Sequence, residues 1–249
     1  MRRYAHILVL IACTACGGGE RARVTVAAAA SLREVMTELE AAYEKAHPGV
    51  EVRTTFGGSG ALRQQIEQGA PVDLFVSAAA APMDALARAG RVDEATRRTF
   101  AGNELVLIVP ARGGQAASFA DLAKPEVKRV ALGAPASVPA GEYAEEALRA
   151  AGVLEAVRAK AVYAQDVRQV LAFVSSGNAD AGLVYRTDAA VTARVRIAAA
   201  APAGSHRPIV YPAAVLADGP NPGGARAYFN FLMGPEGRAA LRRRGFRVE

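Results

Sequence analysis

The 249-residue chain has no tryptophan, two cysteines and three histidines, and aromatics make up only 6% of it. Each scarcity removes a class of chemistry. Both cysteines, Cys13 and Cys16, fall within the first twenty residues, so the rest of the chain holds neither a disulfide framework nor a cysteine-bound metal. The sparse aromatics are not interleaved with a basic tract, which leaves no stacking platform for nucleic acid. Charge of one sign is also in short supply. The formal charge of +6 falls to +4 once Arg2 and Arg3 are set aside, because 28 basic residues then face 24 acidic ones. The one basic cluster, Arg242-Arg243-Arg244, suits the negative end of a terminal helix. No Gly-Lys-Ser/Thr follows any glycine-rich turn, which argues against a nucleotide-binding P-loop. Long apolar runs are missing as well: residues 7–12 are far short of the ~20 needed to span a bilayer.

What the N-terminus does have is a charged start followed by a short apolar stretch, the pattern of a cleaved export signal over residues 1–20. Within it, Leu10-Ile11-Ala12-Cys13 resembles a bacterial lipobox, whose cysteine becomes the lipidated first residue. Cys13 has the better residue three positions upstream, whereas Cys16 gives the apolar region a more usual length. Cys13 is preferred, and Cys16 stays open. The expected location is periplasmic or extracytoplasmic, with the membrane touched only through the lipid anchor. About 230 residues remain, enough for two lobes.

Short β-rich runs alternate with helical patterns, which predicts an α/β architecture with mainly parallel strands. Strands are expected at residues 24–29, 50–56, 73–77, 105–109, 129–132, 160–163, 181–184 and 209–216. Leu32, Val35, Met36, Leu39 and Tyr43 recur at spacings of three and four, so one helix follows the first strand and stops near His47-Pro48-Gly49. Further helices are expected near residues 61–68, 139–150, 167–176, 223–232 and 236–244.

The turns between strands and helices hold the informative residues, because the first N–H groups of a helix have no internal acceptor and sit at the positive end of its dipole. Ser31 occupies the first such turn. Its spacing to Glu34 is that of a capping box, so a purely structural role is a live alternative for it. Phe56-Gly57-Gly58-Ser59-Gly60 forms a second turn whose glycines permit close approach of backbone to a ligand. Pro139 at a first helical position leaves the Ala140 N–H free. Asp166 reads as a cap that leaves the Val167 N–H pointing outward.

The ordered series Ala28-Ala29-Ala30-Ser31-Leu32, Gly58-Ser59-Gly60-Ala61-Leu62, Gly69-Ala70-Pro71-Val72-Asp73-Leu74-Phe75-Val76-Ser77, Val138-Pro139-Ala140-Gly141, Asp166-Val167-Arg168 and Gly182-Leu183-Val184-Tyr185 resembles the periplasmic molybdate-binding proteins of ABC importers. The resemblance covers almost everything after the signal. It implies a two-lobed type II periplasmic binding fold, with one lobe at residues 21–97 plus 209–249 and the other at 98–208. It also implies an oxyanion, molybdate or tungstate, held in the cleft by Ser31, Ser59, Ala140, Val167 and Tyr185. No cofactor is expected. The implied partner is a membrane permease, with the receptor itself a monomer and not an enzyme. Asp73 reads as framework instead of ligand.

Two alternatives stand beside this. A sulfate receptor would use the same donors. A secreted serine hydrolase is suggested by Gly57-Gly58-Ser59-Gly60, but the Gly-x-Ser-x-Gly pattern fails at Ala61 and neither His47 nor His206 is a convincing base.

Overall fold

The computed structural model describes residues 22–248, so the expected export signal and both cysteines lie outside the described residues. The chain builds two five-stranded sheets. It opens with β1 (Ala22–Ala29), α1 (Arg33–Ala46), β2 (Val50–Gly57), α2 (Ser59–Glu67), β3 (Leu74–Val76), α3 (Ala80–Arg88) and β4 (Arg98–Gly102). Next come β5 (Leu105–Pro110), β6 (Val130–Gly133), α4 (Pro139–Ala150), α5 (Leu154–Arg158), β7 (Ala161–Ala164), α6 (Val167–Ser175), β8 (Ala181–Tyr185), α7 (Arg186–Ala189) and β9 (Val195–Ala200). The chain then returns through β10 (Val210–Val215) and ends with α8 (Pro222–Met233) and α9 (Pro235–Arg243).

The first sheet runs β2-β1-β3-β10-β4 and the second β7-β6-β8-β5-β9. In each, three parallel strands come first. A strand running the other way is then inserted before the edge: β10 pairs antiparallel with β3 and β4, and β5 pairs antiparallel with β8 and β9. The two lobes are therefore topological copies, joined where the chain leaves one sheet and re-enters it.

Residue 98 was expected to open the second lobe. Instead β4 pairs with β10 in the first sheet, so the outward crossing falls at residues 103–104. Phe100 and Ala101 explain the difference, since they are buried in the first lobe and hold that strand in place. Helix α1 forms as its apolar stripe dictates, with Val35, Met36, Leu39 and Tyr43 all buried. Asp73 is framework: its carboxylate accepts from the Thr25 N–H at 2.7 Å and the Asn221 N–H at 2.6 Å, tying β1 to the C-terminal segment. Among the described residues, no helix is long and apolar enough to cross a membrane.

Candidate functional site

Strand β1 does not run directly into α1. A single 3-10 turn, Ala30–Leu32, intervenes, and the helix begins only at Arg33. That turn carries Ser31 out of capping range, so the expected capping box does not form and no side chain caps α1. The Ser31 hydroxyl instead lies 3.0 Å from the Tyr211 hydroxyl, and Glu34 turns to Arg168. Ser59 is the first residue of α2 and is fully buried. Its Oγ accepts from the Ala78 N–H at 2.9 Å, which leaves the hydroxyl proton to donate elsewhere.

The second lobe supplies backbone. Pro139 stands in the first turn of α4, and Ala140 follows it with no acceptor four residues back in its helix. Asp166 caps α6 by accepting from the Arg168 and Gln169 N–H groups at 2.8 and 2.9 Å, so the Val167 N–H is left over. Tyr185 ends β8. Its ring is buried, yet its hydroxyl has no hydrogen-bond partner among the described residues. Burial pushes its pKa well above the usual phenol value, so the group stays a neutral donor.

All five residues face one another. Ser31, Ser59, Ala140, Val167 and Tyr185 line a single small cavity together with Ala29, Gly58 and Ala78, and no charged side chain is part of its wall. The cavity lies between the lobes, and the lobes meet around it. Across the seam the Gly60 N–H donates to the Ser137 carbonyl at 2.9 Å. A side chain on Gly58 or Gly60 would collide there: a Cβ at either would sit 2.8 Å from the Ser137 carbonyl oxygen.

Charge is kept one layer away. Arg168 of α6 reaches across to Glu34 of α1, at 2.8 Å through one nitrogen, and its Nε lies 2.7 Å from Asp188. Asp188 is fully buried, and desolvation raises its pKa to about 7 against the pull of Arg168. Sequence reasoning did not single out this triad, nor Asn103 and Tyr211, because the partners lie from 20 to 180 residues apart and share no local pattern. A larger groove of ≈ 380 Å³, lined by Phe100, Ile209, Leu232 and Arg247, holds none of the five.

The bacterial extracellular solute-binding protein family model matches residues 24–247 of the chain. The chain belongs to this family. It is thus an extracytoplasmic binding protein and not an enzyme. Of the described histidines, His47 Nδ1 is 2.9 Å from the Tyr43 carbonyl and His206 Nδ1 is 2.6 Å from the Arg207 carbonyl. The Bacillus subtilis protein YvgL, named as an ABC transporter substrate-binding lipoprotein, is 40% identical over 92% of this chain and 88% of its own length. Molybdate-binding protein ModA of Escherichia coli is 37% identical, over 92% of this chain and 91% of its own. Among solved structures, the substrate-binding domain of a molybdenum ABC transporter from Clostridium difficile is 37% identical. It superposes with a TM-score of 0.69 over 92% of this chain and all of that domain. The binding protein has the two-lobed type II periplasmic fold that the resemblance implied.

Proposed function

We propose that this binding protein captures molybdate, and tungstate with it, and delivers the anion to the membrane permease of an ABC importer. The observation that carries the proposal is the wall of the interlobe cavity. It offers hydroxyls and N–H groups, an unpartnered buried phenol among them, and no charged side chain. An oxyanion held on neutral donors at helix N-termini has no need of a counter-charge.

Donors alone also discriminate. Molybdate is fully ionised at neutral pH, whereas phosphate keeps a proton that needs an acceptor. Leaving that proton unpaired in a closed cavity costs on the order of 1–3 kcal/mol, or about ten- to a hundredfold in affinity. Sulfate carries no such proton and can be rejected only by size. We further read the receptor as a monomer acting outside the cytoplasm and tethered through a lipid on Cys13 or Cys16; the export-signal pattern of residues 1–20 supports the location and the tether.

Calorimetric titration of the purified protein with molybdate, tungstate and sulfate tests the reading. Molybdate and tungstate are expected to bind tightly and sulfate much more weakly. Tight sulfate binding with no preference for molybdate would replace this reading with a sulfate receptor.

A further inference from the structure

One hydroxyl of the cavity is wired into the strands that join the lobes. Asn103 sits at the outward crossing, directly before β5, and Tyr211 lies on the returning strand β10. Both side chains are buried. The Glu104 N–H, which can only donate, bonds to Asn103 Oδ1 at 2.9 Å and so fixes which way the amide faces. Asn103 Nδ2 must then donate, and it does so twice: to the Tyr211 hydroxyl at 3.2 Å and to Thr187 Oγ1 at 2.9 Å. The Tyr211 oxygen is an acceptor in that bond, and its own proton has one acceptor in reach, Ser31 Oγ at 3.0 Å. Each proton in the series is therefore pushed one step toward the cavity. Ser31, with one lone pair taken up by the Tyr211 proton, keeps its own O–H free to point into the cavity. The β10 register slips between Tyr211 and Pro212, an irregularity of the kind that re-aims a side chain out of its sheet.

We propose that Tyr211, oriented by Asn103, is a positioning residue that turns the Ser31 O–H toward the anion and so helps disfavour protonated anions. The inference rests on the oxyanion-receptor reading. Without Tyr211, the Ser31 hydroxyl rotates freely and can accept a proton as readily as give one. A protonated anion such as phosphate then regains the acceptor that the intact cage denies it. Tyr211 touches Ser31 and not the anion, so its effect must vanish when Ser31 has no hydroxyl.

A double-mutant cycle reads this directly. Titrations with molybdate, and with phosphate in competition, would compare the parent, Tyr211→Phe, Ser31→Ala and the double variant. Tyr211→Phe is expected to weaken molybdate roughly three- to tenfold and to narrow the molybdate-over-phosphate ratio. In the Ser31→Ala background the same change is expected to cost less than about twofold. Equal losses in both backgrounds would show that Tyr211 acts through packing and would overturn the relay, as would a Tyr211→Phe protein that binds like the parent. Asn103→Asp supplies a second reading should Tyr211→Phe fold poorly. A carboxylate at position 103 takes the Tyr211 proton and reverses the series, so Ser31→Ala should no longer weaken molybdate in that background. If Ser31→Ala still costs its full factor there, the relay is wrong. A parent that binds no molybdate would remove the receptor reading and the relay together, whereas additive losses in a binding parent remove the relay alone.

Discussion

The two lobes are built on one strand order yet approach the cavity with different chemistry. In the first, the turns after β1 and β2 carry Ser31 and Ser59; in the second, the equivalent turns after β6 and β7 carry Ala140 and Val167. Topology alone places a helix N-terminus at all four positions. Serine hydroxyls were added at the first-lobe turns only, whereas the third parallel strand of the second lobe, β8, ends in the Tyr185 phenol where β3 leads to Ala78. The difference teaches a division of labour. Backbone N–H groups come with the fold wherever a strand feeds a helix, whereas hydroxyls must be supplied by sequence, and each serine hydroxyl has a second bond that fixes the direction of its proton. Ser59 obtains that bond from Ala78, and Ser31 from Tyr211.

The largest effect should come from the seam between the lobes. Gly60→Ala drives a methyl into the Ser137 backbone and should lower molybdate affinity by about a hundredfold or more, measured by titration, roughly 2.7 kcal/mol. Thermal melting of the unliganded protein should hold or rise, since alanine is the better helix residue by about 1 kcal/mol. Ser59→Ala comes next. It removes one hydroxyl of the first lobe and strips the buried Ala78 N–H of its acceptor, so affinity should fall about tenfold or more and stability by about 1–3 kcal/mol. Tyr185→Phe separates the lobes most cleanly. It deletes a buried hydroxyl without a protein partner, so affinity should drop about tenfold while the unliganded protein melts no lower than the parent. Glu34→Gln weakens the bridge to Arg168 without leaving Asp188 unpaired, and a loss of only a few-fold is expected.

A last comparison should show no change at all. Burial holds Tyr185 and Tyr211 above the ordinary phenol pKa, so both remain protonated as pH rises toward 10. Molybdate affinity from about pH 8.5 to 9.5, above the pKa of about 7 at Asp188 and below that of an exposed phenol, should therefore be flat in titrations at constant ionic strength. A decline over that window would mean that one of these phenols ionises in the folded protein.

The sequence disclosed the parallel strands and the long amphipathic helices because burial on both sheet faces, or along one stripe, leaves a local pattern. The strands it did not disclose are β4 and β9, and they occupy the same place, the outer edge of each sheet. Edge position alone does not hide a strand, because β2 and β7 at the opposite edges were read, but β9 exposes Arg196 and Ile197 together and shows no clean alternation. Helix α3 went unread because its alanines blur the apolar stripe, although Met83 and Leu86 are buried. At the site, Pro139 and Asp166 marked helix starts through their own backbone chemistry, and the glycines around Ser59 marked a close approach. Ser31 looked like a cap, and only the 3-10 turn ahead of α1 shows why it is not one. Tyr211 and Asn103 carried no local signal, since each matters through a partner 84 to 180 residues away.

The central claim is that a cage of neutral donors, with no acceptor facing inward, chooses its anion by protonation. Competition titration of phosphate against molybdate at pH 7 tests it most directly. The account predicts tight molybdate binding with phosphate at least about tenfold weaker. Phosphate binding as strong as molybdate would mean that an acceptor faces the anion, and the donor-only cage would be wrong.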